Sequence, residues 1–164
     1  VGAQPLWTDH SHCIPIDPVY LTWKLNKQNI SFRMVEEAAA INAGMPDFVV
    51  DIIASELSKR GKSLTGSNIL VLGAAYKKDV MMEKLRKAEA NVCYYDPYIE
   101  TISIGGKVYD SIEPTDSALA AADCVLLATD HTCFDYDRIA ALSKLIMDTR
   151  HAFYKYKSDN IVIL

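Results

Sequence analysis

The chain has 164 residues, enough for one domain with its own core, since a chain of this size buries roughly 70% of its unfolded surface. Its net charge of -4, from 21 acidic against 17 basic residues with no basic run, argues against nucleic acid or an anionic membrane as a main partner. Four cysteines without a CxxC pair argue against a disulfide framework and suit reduced thiols in the cytoplasm. No signal peptide or uninterrupted apolar run near a membrane span's length is evident, and the start at Val1 without Met suggests a piece of a longer protein.

Residues 1–12 read as irregular. Asp17 reads as a helix N-cap and Pro18 as the first helical residue, because proline's missing N–H is not needed there, so a short helix is expected from Asp17 to about Asn26. Ser31 is expected to cap a second helix carrying Phe32, Val35, Ala38, Ala39 and Ile41. Pro46 should interrupt or kink it, while Phe48, Val49, Ile52, Ile53 and Leu57 continue the apolar stripe. Gly61 and the stretch Lys62–Gly66 end that helix and read as a hinge between two parts.

Beyond the hinge the apolar period changes. Asn68–Gly73 is a short apolar run of the kind buried parallel strands show. A helix is expected over Met81–Ala90, a strand over Asn91–Tyr95, a helix over Thr115–Ala122 and a strand over Cys124–Thr129. A further helix over Tyr136–Lys144 precedes strands over Leu145–Thr149 and Ile161–Leu164. The fold class is therefore α/β, a helical central segment followed by a Rossmann-like, doubly wound parallel sheet. The turn after the first strand, Gly73-Ala74-Ala75-Tyr76-Lys77, lacks the GxGxxG of a dinucleotide site.

The stretch with most chemical content is His12-Cys13-Ile14-Pro15-Ile16-Asp17-Pro18. A thiol just ahead of a helix N-terminus meets the positive end of the backbone dipoles, which favours thiolate. A buried, inert cysteine beside an ordinary capping aspartate fits the same spacing. Asp9, His10, His12 and Cys13 lack paired ligand spacing, which argues against zinc. Asp130-His131 at a strand end reads as an acid–base pair or, more simply, a turn.

His12–Lys24 resembles the catalytic-cysteine segment of the UDP-glucose/GDP-mannose dehydrogenase family, nearest the branch acting on UDP-N-acetylhexosamines. Further segments follow in the same order: Asn42–Pro46, Ile69–Asp79, Tyr94–Tyr98, Ala128–His131 and Asp148–Arg150. The resemblance covers about Cys13 to Phe153. It implies an NAD-dependent oxidation of the C6 hydroxyl of a UDP-N-acetylhexosamine to the uronic acid, with Cys13 as nucleophile through a thiohemiacetal and thioester. It implies that Asp17 orients or activates water and the thiol, and that Lys77 and Arg150 bind substrate; a solvated loop lysine and an Asp148 ion pair are the plainer readings of these two. It also implies residues 1–62 as the cysteine segment with a central dimerisation helix, residues 63–164 as the Rossmann-like UDP-sugar-binding domain, and an NAD-binding domain outside this chain. A cytoplasmic homodimer follows from the same likeness.

The pattern departs from the family in two places. The glycine pair expected before His12-Cys13 is replaced by His10-Ser11, and after Asp79 the chain is roughly ten residues short. Such changes also suit a second reading, a nucleotide-sugar-binding and dimerisation module that no longer catalyses. Flanks that align well on both sides of the short segment favour omitted residues over a degenerate locus.

Overall fold

The computed structural model describes residues 13–74 and 78–164. Helix α1 (Cys13–Asn26) begins four residues before the expected cap. Pro15 falls in its first turn, where no N–H is needed, so the helix can open there; Pro18 then lies inside the helix. Asp17 is thus a helical residue and not an N-cap.

Helix α2 (Arg33–Lys59) runs unbroken through Pro46, which removes only the hydrogen bond to Asn42. Phe32 stands at its N-cap without a side-chain bond, and its carbonyl receives the N–H of Val35 and Glu36. Ser31 lies one residue outside, so the expected cap is not formed. The other end closes as expected around Gly61: its φ is +73°, its N–H donates to Ser58 O at 2.9 Å, and Lys62 N–H donates to Leu57 O at 2.9 Å. These are the two bonds of a Schellman motif. By length and composition alone α2 is long and apolar enough to cross a membrane, a stretch the sequence reading missed because charges interrupt it. Its second half instead belongs to the core, with Val49, Ile53 and Leu57 fully buried at helical spacing.

Five strands form one parallel sheet: β1 (Asn68–Leu72), β2 (Asn91–Tyr95), β5 (Cys124–Leu127), β6 (Ile146–Asp148) and β7 (Ile161–Ile163), in the order β2-β1-β5-β6-β7. Alternate residues enter opposite cores. Ile69, Val71, Cys124, Leu126 and Met147 pack with α2 and with Met82 and Leu85 of α3 (Lys78–Lys87). Leu70, Leu72, Val125, Leu127 and Ile146 pack with Leu119 of α4 (Asp116–Ala121), Ile139 of α5 (Tyr136–Leu142) and Phe153. Helices on both faces explain why β1 and β5 are apolar without alternation. Each such side chain, once buried, contributes roughly 1.5–3 kcal/mol. The doubly wound sheet after a helical segment is the architecture expected.

A two-stranded hairpin, β3 (Thr101–Ile104) and β4 (Lys107–Asp110), was not expected from the sequence. Gly105 and Gly106 turn it with φ of +56° and +78°, the left-handed pair a tight hairpin needs.

Candidate functional site: the crevice at the carboxyl ends of the strands

In a doubly wound sheet, ligands settle outside the carboxyl ends of the strands, where the chain order reverses. Here the chain leaves β1 toward β2 and returns on the other side to β5, so the reversal lies between β1 and β5. Gly73 and Ala74 follow β1 there, and Thr129, Asp130 and His131 follow β5 shortly after its end.

The two strand ends approach closely. Leu72 O accepts the N–H of Ala128 at 2.9 Å and of Thr129 at 3.2 Å. Gly73 has a φ of +83°, and a Cβ on it would lie 2.5 Å from both Cβ and O of Thr129. Glycine is therefore required by backbone conformation and by the neighbouring strand at once.

Asp96 ties the strand ends together. Its fully buried carboxylate accepts the N–H of Ala74 at 2.5 Å and of Tyr98 at 2.9 Å, and lies 3.3 Å from His131 Nε2. Burial pushes this carboxyl up, but the Ala74, Tyr98 and His131 hydrogen bonds outweigh burial and hold it below the usual carboxylate range. The His131 ring is fixed by edge contacts with Tyr98 and Phe134, centroids 5.3 and 5.2 Å away. The partner of His131 is thus Asp96 from β2's end, and not the adjacent Asp130 that the sequence offered.

On the far side of the crevice, Asp148 at the end of β6 is buried and uses its carboxylate on the N–H groups of Arg150 (2.8 Å) and Phe153 (2.7 Å). That fixes the turn bearing Arg150, whose side chain is 12% exposed and whose Nε lies 3.5 Å from Asp130 Oδ1. The acid seen pairing with the guanidinium is Asp130, while Asp148 shapes the backbone. A guanidinium held at the rim of a parallel sheet suits bidentate contact with phosphate or sugar oxygens.

Of the four residues singled out from the sequence, Arg150 is placed in full at this crevice. Cys13 and Asp17 lie four residues apart on α1, one helical turn; their side chains, like all of Lys77, lie outside the described residues, as do Asp9, His10 and His12. Sequence reasoning missed Asp96 and Thr129. The signal for Asp96 was a carboxylate just after a strand and before Pro97.

Because its carboxyl is held low by native contacts, Asp96 stabilises the fold above the unfolded-state value, and that contribution is lost as pH falls through the folded value. Asp96→Asn should therefore cost about 1–3 kcal/mol at neutral pH, because an amide N–H would face a backbone N–H. The difference from the parent should shrink below about pH 4. Urea titrations at both pH values check this; an equal loss at both would contradict it.

Fold and strand-end geometry together define a Rossmann-like α/β domain, a class in which ligands settle at the switch point. The UDP binding domain of the UDP-glucose/GDP-mannose dehydrogenase family matches residues 70–155, just over half of the chain and the whole of this crevice. The chain belongs to that family. It is 26% identical to a UDP-N-acetyl-D-mannosamine dehydrogenase of Methanococcus maripaludis over 93% of this chain and 38% of that protein. It is 30% identical to the Pyrococcus horikoshii protein of the same name over 75% of this chain and 29% of that one. The solved structure of UDP-D-ManNAc dehydrogenase from Pyrococcus horikoshii superposes with a TM-score of 0.72 at 24% identity, over 93% of this chain and 37% of that chain. A UDP-glucose dehydrogenase from Pyrobaculum islandicum gives a TM-score of 0.65 at 18% identity, over 93% of this chain and 36% of that one. The chain spans little more than a third of the length of the relatives it matches.

Proposed function

We propose that this chain is the nucleotide-sugar-binding portion of an NAD-dependent nucleotide-sugar 6-dehydrogenase that acts on a UDP-N-acetylhexosamine. One observation carries the reading: the family match spans the crevice-forming strand ends, with Arg150 fixed at their rim. Relatives named for UDP-N-acetyl-D-mannosamine support a hexosamine as the sugar.

The crevice residues do not fit NAD. Gly73 spends its missing side chain on Thr129, leaving no glycine-rich approach for a pyrophosphate. NAD, which would accept hydride from C6, is assigned to another part of the protein. Arg150 and Lys77 are both assigned to phosphate or sugar oxygens. Cys13 is assigned to nucleophilic attack on the C6 aldehyde, and Asp17, one turn on, to orienting water or the thiol. Unpaired thiols at Cys93, Cys124 and Cys133 support a cytoplasmic setting.

Calorimetry on this chain tests the assignment. UDP should bind with an affinity that falls as salt rises, and NAD should not bind tightly. Micromolar NAD binding without UDP binding would reverse it. The non-catalytic reading is favoured by the short α3, ten residues long; it predicts UDP-sugar binding by the complete protein without turnover.

The proposed homodimer rests on α2. Met34, Ile41 and Phe48 are spaced by seven along it and stay 73%, 58% and 48% exposed, so they form one apolar stripe. In a two-fold contact each substitution enters twice. Phe48→Asp should therefore convert a dimer to monomers by light scattering. If parent and variant are both monomers, the stripe is not a self-interface.

A further inference from the structure

A cavity lies away from the crevice, toward the amino ends of the strands. It has a volume of about 570 Å³ and opens beside the outer edge of β2, with Asn68 and Asn91 marking the amino ends of β1 and β2. The hairpin and α3 wall one side, and Ala118, Ala121 and Ala122 the other. Its size is that of a small-molecule site.

Three features give it a chemical preference. Arg86 and Lys107 line it, both set over the Tyr109 ring, 5.1 and 5.3 Å from the centroid. None of its lining residues is acidic, although the chain as a whole carries net charge -4. Tyr109 also holds a buried hydroxyl without a hydrogen-bond partner among the described residues.

The strand edge adds a polar contact. Residues of a parallel strand turn their N–H and C=O alternately to the two sides. Asn91 N–H and Tyr95 O bond toward β1, to Ser67 O and Gly73 N–H, while Tyr94 O bonds outward to Ile112 N–H at 2.9 Å. Val92 therefore turns outward too, into the cavity, and has no partner there among the described residues. The Ser111–Ile112 segment closes the edge beyond it, so the open edge is too short for an added strand.

We infer that this cavity binds a small anionic amphiphile, with its phosphate, sulfonate or carboxylate on Arg86 and Lys107, its apolar body against the alanines of α4, and a polar edge on the Val92 backbone. The site is separate from the proposed UDP crevice and does not depend on that assignment. An occupant here leaves the crevice free, so it is a ligand distinct from the proposed UDP-sugar substrate.

The probe is 8-anilinonaphthalene-1-sulfonate, titrated into the chain with UDP in excess. Saturable fluorescence enhancement should persist with UDP present, and alkylation of Cys93, followed by peptide mass spectrometry, should slow when the probe is bound. The Arg86→Gln/Lys107→Gln double variant should weaken the probe about tenfold or more, the scale of two lost charge-assisted contacts. Ala121→Phe, at an exposed position of α4, should fill the cavity and weaken it similarly without unfolding the chain. Displacement of the probe by UDP overturns the inference, as does unchanged affinity in both variants. Preferential binding of an acidic extended peptide at the same residues overturns it in favour of a docking edge.

Discussion

In the complete protein, Cys13→Ser is expected to lower uronic acid formation by roughly 10⁴-fold while leaving UDP-sugar binding within about 1 kcal/mol. Cys13 is the first residue of α1, where backbone N–H groups still lack intrahelical partners and the dipoles present their positive end. That environment stabilises a thiolate but leaves a serine hydroxyl protonated near neutral pH, because its pKa starts many units higher. In the proposed mechanism, the difference falls on the covalent step. Addition to the C6 aldehyde needs an anionic nucleophile whose adduct can release hydride and then be hydrolysed, which sulfur permits. Binding should change little, since phosphate or sugar oxygens are assigned to Arg150 and Lys77 and not to the thiol. Steady-state acid formation at the parent rate by the serine variant would remove Cys13 from the mechanism. Loss of UDP-sugar binding in parallel would instead make it a structural residue.

The sheet was legible because its strands are buried on both faces: the Ile69–Leu72 and Cys124–Leu127 runs carry no polar alternation that a helix or a half-exposed strand would show. The hairpin was missed although Gly105-Gly106 follows an alternating tetrad, Thr101–Ile104, and precedes Lys107–Asp110. Four residues on each side give a short signal, and only Ile102 and Ile104 are buried, against a core that α3 shares. Helix starts went astray for a local reason. Proline and serine mark positions that a helix tolerates at its start, yet the first carbonyl acceptor chooses among them, as Phe32 O does by accepting the N–H of Val35 and Glu36. In the site, Arg150 was legible as a cation following a strand. Asp96 was not, because two of its partners are backbone N–H groups, which every residue type carries, and the third, His131, comes from another strand end.

Gly73→Ala should cost on the order of 3–5 kcal/mol, adding a crowded methyl group to a left-handed backbone. At φ +83° alanine alone meets a strained conformation, but the larger effect is contact. The new Cβ would sit 2.5 Å from Thr129 Cβ and O and 2.8 Å from its Cα. Two of those three atoms are backbone, so no rotamer change relieves them; β1 and β5 must separate where Leu72 O holds Ala128 and Thr129. For a domain of this size such a loss lowers the melting temperature by roughly 10 °C or more. Thr129→Gly placed in the same chain removes only the Cβ clash, so it should restore a minor part of the stability. Full restoration would show that side-chain crowding, and not backbone approach, fixes glycine here. Because the affected strand ends form the crevice, UDP binding should weaken in Gly73→Ala even at temperatures where the chain remains folded. A variant that melts within about 1 °C of the parent would refute the close approach on which this account of the crevice rests.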